Sequence, residues 1–503
     1  MPSGHAHKQL TYPVAIARSG AVAYPTEPPY HPDQDYPESP FREGRGPSNP
    51  VYGAVRNLFN LLGLDAKNAG SECWNPLGAW VRPGDKVFIK PNMIAHKHAH
   101  NEDWDHVITH GAVLRAVTDF VFIALRGEGA ITIGDAPQTD SHFNLIIERM
   151  GLPALQAWYH EQHRFAIEVL DLRDMYWVEH DGIYTDTVTL PGDPCGRVEV
   201  DLAERSQFAE FDGRGRHYYG AFYDTEETGT HHRDGKHEYA ISRTPIESDV
   251  FISVPKLKTH KKCGLTVNLK GLVGINADKN WLPHYCIGSP VEGGDQFPGN
   301  GRKGKWENRI VLGMKKHLVR GNPLAMMAAR RLKQLGYRIF GDTEEVVRSG
   351  NWHGNDTVWR MSIDLNRILM YANPDGTLRP ADQPKRFFSV VDGIVAMEGN
   401  GPVAGTPRST GIVAAGDNPV AVDAICARVM GLDPEKIPLI RRCLDPHPQP
   451  LFEGDFDDLR PCSNHSAWGR PWSQWRPEES FRFRPHFGWV GHVEWAAQPE
   501  TRK

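Results

Sequence analysis

Residues 249–284 read DVFISVPKLKTHKKCGLTVNLKGLVGINADKNWLPH. Val250 to Val254 are apolar or small and β-prone, which marks a buried strand. Pro255 lacks a backbone donor and is expected to stop that strand's ladder. Beyond it stand Lys256, Lys258, His260, Lys261, Lys262, Lys270 and Lys279, interleaved with Gly264, Gly271 and Gly274. Read this way, the stretch is a core strand feeding a basic, glycine-bearing loop, and the loop is the expected active or binding site.

Upstream, the pattern alternates. Lys86 to Lys90 reads as a strand entering Pro91-Asn92, and residues 111–126 carry apolar side chains at helical spacing. Residues 130–134 read as a strand ending in Asp135, followed by a helix over 141–150 and a strand near 166–170. This order implies α/β architecture, with a mostly parallel sheet covered by helices. In such sheets ligands bind beyond the carboxyl ends of the strands, so Lys90-Pro91-Asn92, Asp135 and Lys256-Leu257-Lys258 are expected at one rim.

Further out, residues 1–80 read as a first strand, a Pro/Tyr/Asp-rich wrapping segment over 24–50 and a helix from Val51 to Leu64 near Asn49. Residues 81–174 form a first lobe, and 175–245 an insertion with β content. Residues 246–435 hold the basic stretch and a second lobe; 436–503 hold a C-terminal helix and a Pro/Trp/Arg-rich tail. After the glycine-rich 293–306, helices are expected over 309–335 and 355–370. A strand from Phe387 to Val391 is expected to end at Asp392-Gly393. A strand over 411–415 then leads to a helix over 419–430, with Asn418 as N-cap and Pro419 in the first turn. Trp468, Trp472, Trp475, Trp489 and Trp495 suggest a tail packed over the body. The expected whole is an α/β protein of two lobes, with mostly parallel sheets covered by helices, a β-containing insertion and an irregular Trp-rich tail.

Composition narrows the function. Lys plus Arg total 57 against 62 Asp plus Glu, a net charge of −5, which argues against a dedicated nucleic-acid binder. The basic cluster therefore suits a small phosphate- or carboxylate-bearing anion. No run approaches the roughly 18 apolar residues of a membrane span, and no apolar segment behind a basic start marks a secretory leader. The seven cysteines include no CxxC pair, so a disulfide framework, a zinc ribbon and an iron–sulfur cluster all lack their usual spacing. Reduced thiols in a cytoplasm are the expectation.

The candidate residues follow from their chemistry. Lysine ammoniums are compact donors to anions, which assigns substrate binding to Lys90, Asn92, Lys256, Thr259, Asn268, Lys270 and Lys279. Lys258 with His260 can polarise a carbonyl or shuttle a proton, and His284 is a further acid–base candidate. The alternative for the Lys256–His260 cluster is a solvated basic loop, and for His284 a surface or core hydrogen bond. His96, His98, His100, His106 and His110, with acids between them, can place imidazoles along one side of an extended chain. Asp135 and Asp392 stand at strand ends, where carboxylates hold a divalent cation beside a phosphate. Asp135, Asp392, His96 and His98 are accordingly the metal candidates, with a divalent metal as the candidate cofactor. The competing reading is turn-forming aspartates and a polar loop. No GxSxG elbow, HExxH helix or GxGxxG dinucleotide turn accompanies the strand-end acids, and no P-loop follows the central strand.

IKPNMI (89–94), GDAP (134–137), residues 249–275, VDGIVAMEGNGPVAG (391–405) and AAGDNPVAVDAICARVMG (414–431) resemble, in order, the bacterial and archaeal domain-of-unknown-function family 362 over roughly 80–435. Many relatives in that family carry a ferredoxin-like module with four-cysteine runs, which this chain lacks. Thr259-His260, Gly264, Lys270, Gly271 and His284 also resemble a stretch of the nickel-pincer lactate racemases. That likeness implies acid–base or metal-ligand roles for His260 and His284, a cofactor-holding role for Lys270, and isomerase-type chemistry. The chain departs from it in having Thr before His260 and a longer reach to His284. Two functions follow: an enzyme acting on a small anion in a cleft between lobes, or a non-catalytic metal-, cofactor- or partner-binding scaffold. Turnover separates them.

Overall fold

The computed structural model describes residues 11–40, 49–180, 183–211, 217–220, 225–299 and 346–496. The expected helix over 309–335 lies outside the described residues, as does the end of the glycine-rich stretch 293–306.

The strands in chain order are β1 (Tyr12–Arg18), β2 (Lys86–Pro91), β3 (Ala130–Asp135), β4 (Ile167–Asp171), β5 (Met175–His180), β6 (Ile183–Thr189), β7 (Arg197–Asp201) and β8 (Tyr218–Gly220). There follow β9 (Glu238–Ser242), β10 (Val250–Val254), β11 (Lys256–His260), β12 (Gly264–Thr266), β13 (Pro283–Cys286), β14 (Arg386–Glu398), β15 (Thr406–Gly416) and β16 (Leu459–Ser463). The main sheet runs β16-β1-β15-β14-β10-β2-β3-β4, with β11 and β12 attached beside β14. Its centre, β14-β10-β2-β3-β4, is parallel throughout. The α/β class and the mostly parallel sheet are as the sequence implied. Strands of both expected lobes lie side by side in this one sheet, because β10 hydrogen-bonds to β14 on one flank and β2 on the other. The 175–245 stretch adds the hairpin β5–β6 and the pairs β7–β9 and β8–β13.

Alternation along the strands builds two cores. Val87 and Ile89 face a cluster with the helices Pro50–Leu61 and Gly111–Leu125, whereas Phe88 and Phe251 face a second cluster with the helices Val358–Tyr371 and Pro419–Met430. Period-two side chains on a sheet buried on both faces require apolar residues at every position, which is why these strands read as continuous apolar runs. Asn418 caps the helix Pro419–Met430, its side chain accepting from the amides of Val420 and Ala421. Asn49 precedes its helix without a side-chain capping bond.

Two sequence expectations fail here, for one reason. Pro255 ends β10 and its pairing with β2, as expected, but its carbonyl accepts from the amide of Asp392 at 2.8 Å, and a new strand, β11, starts at Lys256 beside β14. The register is Lys256 opposite Asp392 and Lys258 opposite Met397, with an irregularity between. The expected basic loop therefore opens as a strand, Lys256–His260, buried along its whole length. Likewise β14 does not stop at Asp392-Gly393 but runs to Glu398.

What holds the extension is a buried ion pair. Lys256 Nζ lies 3.0 Å from Asp392 Oδ2, and both side chains are 0% exposed. The Tyr24 hydroxyl donates to Asp392 Oδ1 at 2.5 Å and accepts from Lys256 Nζ at 2.6 Å and the Val395 amide at 3.1 Å. The His110 amide supplies a further donor to Asp392 at 2.9 Å, and the His110 ring stacks on Tyr24 at 4.0 Å. The wrapping segment thus closes the pair off from water. Tail residues also join the body: β16 pairs with β1, and Trp489 Nε1 donates to the Lys261 carbonyl at 2.8 Å, behind the turn that follows β11.

Removing one partner of a buried pair leaves the other charged and unsolvated. Asp392→Ala is expected to cost about 3–5 kcal/mol in denaturant unfolding. The double variant Lys256→Met/Asp392→Leu should lose clearly less, and equal losses would show that the pair is not the anchor.

Candidate functional site

The residue alternation K-L-K-T-H decides which way β11 points. Lys256, Lys258 and His260 share one face, and Leu257 and Thr259 the other. Leu257 enters the core, and Thr259 Oγ1 donates to the Gly399 carbonyl at 2.9 Å. Gly264, at φ +87°, lets the chain reverse, so β12 returns antiparallel with Thr266 directly opposite Lys258.

Beyond the carboxyl ends of β2 and β3 this ribbon walls a pocket of about 430 Å³, its open mouth included. Its polar lining is Lys90, Asn92, Asp135, Lys258, His260, Thr266 and Lys270. Lys90 and Asp135 sit at the ends of neighbouring parallel strands and pair at 2.8 Å. Asp135 also accepts from the amides of Met93 at 2.7 Å and Ala136 at 2.9 Å. Lys258 Nζ rests on the carbonyls of Val107 at 2.8 Å and Pro402 at 3.4 Å, with no carboxylate within ion-pair distance among the described residues. Lys270 Nζ makes no hydrogen bond among the described residues. It rides on the short helix Asn268–Gly271, which Asp423 holds by accepting from Asn268 N at 2.9 Å, Asn268 Nδ2 at 3.0 Å and Leu269 N at 3.0 Å. Thr266 Oγ1 is buried without a partner among the described residues.

The pocket therefore gathers three lysines around one carboxylate that is already engaged. Burial, and next to it the charge of Lys256, pushes Lys258 well below its ordinary pKa. Burial lowers Lys270 too, and Lys90 adds repulsion. Behind the wall, Lys279 donates to the Val273 carbonyl at 2.7 Å and is lowered by burial to about 7. His260 is held well below its ordinary value by burial and then by Lys270, Lys261, Lys258 and Lys262. For Lys258 and Lys270, burial and neighbouring cations act in the same direction, both disfavouring the charged ammonium.

The other candidates fall elsewhere. Lys256 and Asp392 are the buried anchor. Thr259, Asn268, Lys279 and His284 do not line the pocket. His284 Nδ1 lies 3.0 Å from the Leu282 carbonyl, and burial keeps its pKa well down. Of the proposed metal set, Asp135 turns to Lys90, Asp392 to Lys256, His96 stacks edge-on against His142, and His98 Nε2 donates to the Gly405 carbonyl at 2.7 Å. Among the described residues no three His, Cys, Asp or Glu side chains gather to hold a metal ion, so these four do not form one site. Sequence reasoning did not assign Thr266 or Asp423 to the site. Thr266 gains its place only through the β11–β12 register, and Asp423 reaches Asn268 from 155 positions away.

Residues 201–428 match the family model described as a domain of unknown function (DUF362). The expected family resemblance is borne out over this span, which contains Lys258, His260, Thr266, Lys270 and Asp423, whereas Lys90, Asn92 and Asp135 precede it. The thylakoid-associated protein sll1697 of Synechocystis sp. is 22% identical over 362 residues, 72% of this chain and 68% of its own length. Among solved structures, the lactate racemase apoprotein from Thermoanaerobacterium thermosaccharolyticum aligns with 75% of this chain at 10% identity and a TM-score of 0.28. The chain spans 55% of that racemase chain. No helix among the described residues is long and apolar enough to cross a membrane.

Gly274 makes the close approach at the pocket floor. A Cβ there would stand 1.7 Å from Asp135 Oδ1 and 2.7 Å from Lys90 Nζ. Gly274→Ala should force the Lys90–Asp135 pair apart and cost about 1–3 kcal/mol in denaturant unfolding, as overpacking does. An unchanged midpoint would mean the pair yields freely.

Proposed function

We propose that the protein is an enzyme that binds a small phosphate- or carboxylate-bearing molecule in the pocket lined by Lys90, Lys258, His260, Thr266 and Lys270. One observation carries this reading: Lys258 and Lys270 are buried there with no carboxylate of their own among the described residues. Uncompensated buried cations cost stability, and a fold retains such a cost where a ligand offsets it. Lys90 is the fixed element, its charge balanced by Asp135. Lys258 and Lys270 are the responsive ones, taking up protons as the anion enters.

In the bound state the lysines hold the anion and Thr266 donates through its idle hydroxyl. A lysine whose pKa is depressed exchanges protons near neutrality, as a general acid or base requires. The reaction class that fits is proton transfer next to a carboxylate or phosphate, which includes isomerisation. Binding without turnover across phosphorylated and carboxylated metabolites would favour the scaffold reading instead.

The sign of the pH effect is fixed. Each affected lysine has a higher pKa when the anion is bound than when the pocket is free. Affinity therefore falls as pH rises from the lowered free-pocket values of Lys258 and Lys270 toward the ordinary lysine range. Calorimetry with inorganic phosphate in buffers of different ionisation enthalpy should register proton uptake at pH 8. Lys258→Met and Lys270→Met should each weaken phosphate about 10-fold or more, the worth of one charge-assisted hydrogen bond. Binding with no proton uptake and no loss in either variant would remove the pocket from consideration.

A further inference from the structure

Proton positions on His260 are settled by its neighbours. Its Nδ1 lies 3.1 Å from the amide nitrogen of Lys262 and 3.2 Å from Cys263 Sγ. A backbone amide can only donate, so Nδ1 must present its lone pair. The thiol has two acceptors within reach, Nδ1 and the Leu265 carbonyl at 3.4 Å, and its proton serves either without altering the amide's demand. A neutral imidazole with an accepting Nδ1 carries its hydrogen on Nε2. That Nε2 has no hydrogen-bond partner among the described residues, and it is not among the sealed, unpartnered buried atoms of the pocket wall.

We infer that His260 serves the bound anion as a neutral hydrogen-bond donor through Nε2–H, and that it neither accepts a proton nor ligates a metal. This deepens the function proposed above and rests on the pocket being an anion site. Accepting a proton would need a lone pair on Nε2, and hence a hydrogen on Nδ1 pointing into the Lys262 amide hydrogen. An imidazolium meets the same clash. The charges facing the ring, Lys258, Lys261, Lys262 and Lys270, all oppose a positive imidazole as well, with no acid among its strongest neighbours. Lys262 and Cys263 are positioning residues, since they touch the ring and not the ligand. His284 is set the opposite way. Its Nδ1 faces a carbonyl, so the hydrogen sits on Nδ1 and Nε2 is left as an acceptor. The two histidines of the stretch are thus held in opposite tautomers by their backbones.

The experiment is nitrogen-15 NMR of the full chain labelled at histidine, with the His260 signals assigned by their loss in His260→Gln or His260→Asn. Between about pH 6 and 8, and with or without inorganic phosphate, His260 should show a pyridine-type Nδ1 and a protonated Nε2, with His284 reversed. An Nδ1–H tautomer or an imidazolium at His260 in that range overturns the inference, whether or not phosphate binds. Phosphate affinity supplies an independent arm. His260→Gln places an amide N–H near the Nε2 position and should retain affinity within a few-fold, while His260→Ala should lose about 10-fold. Equal losses in both variants count against a donor role. Failure of phosphate to bind the unaltered chain at all would sink the anion site while leaving the tautomer result standing.

Discussion

Everything at the pocket depends on the Lys256–Asp392 pair. Pro255 withdraws the strand from β2, and without a replacement partner the next five residues would be the basic loop their sequence suggests. The ion pair, shielded by Tyr24 and His110, binds that segment to β14 instead. Once β11 is a strand, its two-residue period aims Lys258 and His260 the same way, and the hairpin at Gly264 returns Thr266 opposite Lys258. A charged pair placed fully inside the protein is a costly way to fix a register. Here it lets adjacent cations be buried without a counter-ion each.

Against that anchor, the pocket lysines show the opposite economy. Lys256 has a carboxylate; Lys258 and Lys270 have carbonyls or nothing among the described residues. The difference between the anchoring lysine and the two that line the pocket is therefore compensation and not burial, since all three are buried. The same contrast separates the aspartates. Asp392 and Asp135 are consumed by internal donors, and Asp423 by the turn that carries Lys270.

Much of this was legible beforehand because it is local. Apolar runs marked β2, β3, β10 and the start of β14, and Asn418-Pro419 marked a helix start. The rule that parallel sheets bind ligands at their carboxyl ends pointed to Lys90, Asp135 and Lys258 together. The errors share one cause. Asp392-Gly393 and the closely spaced lysines after Pro255 carry local loop signals, and a long-range pairing overrode both of them. Lys256 reads as identical in type to Lys258, yet nothing near it in sequence announces Asp392, 136 positions on.

The sequence by itself determined the α/β class, the family likeness and the narrow region in which chemistry-bearing residues concentrate, because periodicity and residue type are properties of neighbours along the chain. Only the tertiary structure decided which of those residues face a common space. That choice depends on β11 adding to β14 and on Asp423 bracing the turn of Lys270. It depends also on Gly274 letting the chain pass within contact of the Lys90–Asp135 pair. The protonation of His260 belongs to the same category: the imidazole is in the sequence, but the amide that fixes its hydrogen acquires its direction only when the chain turns.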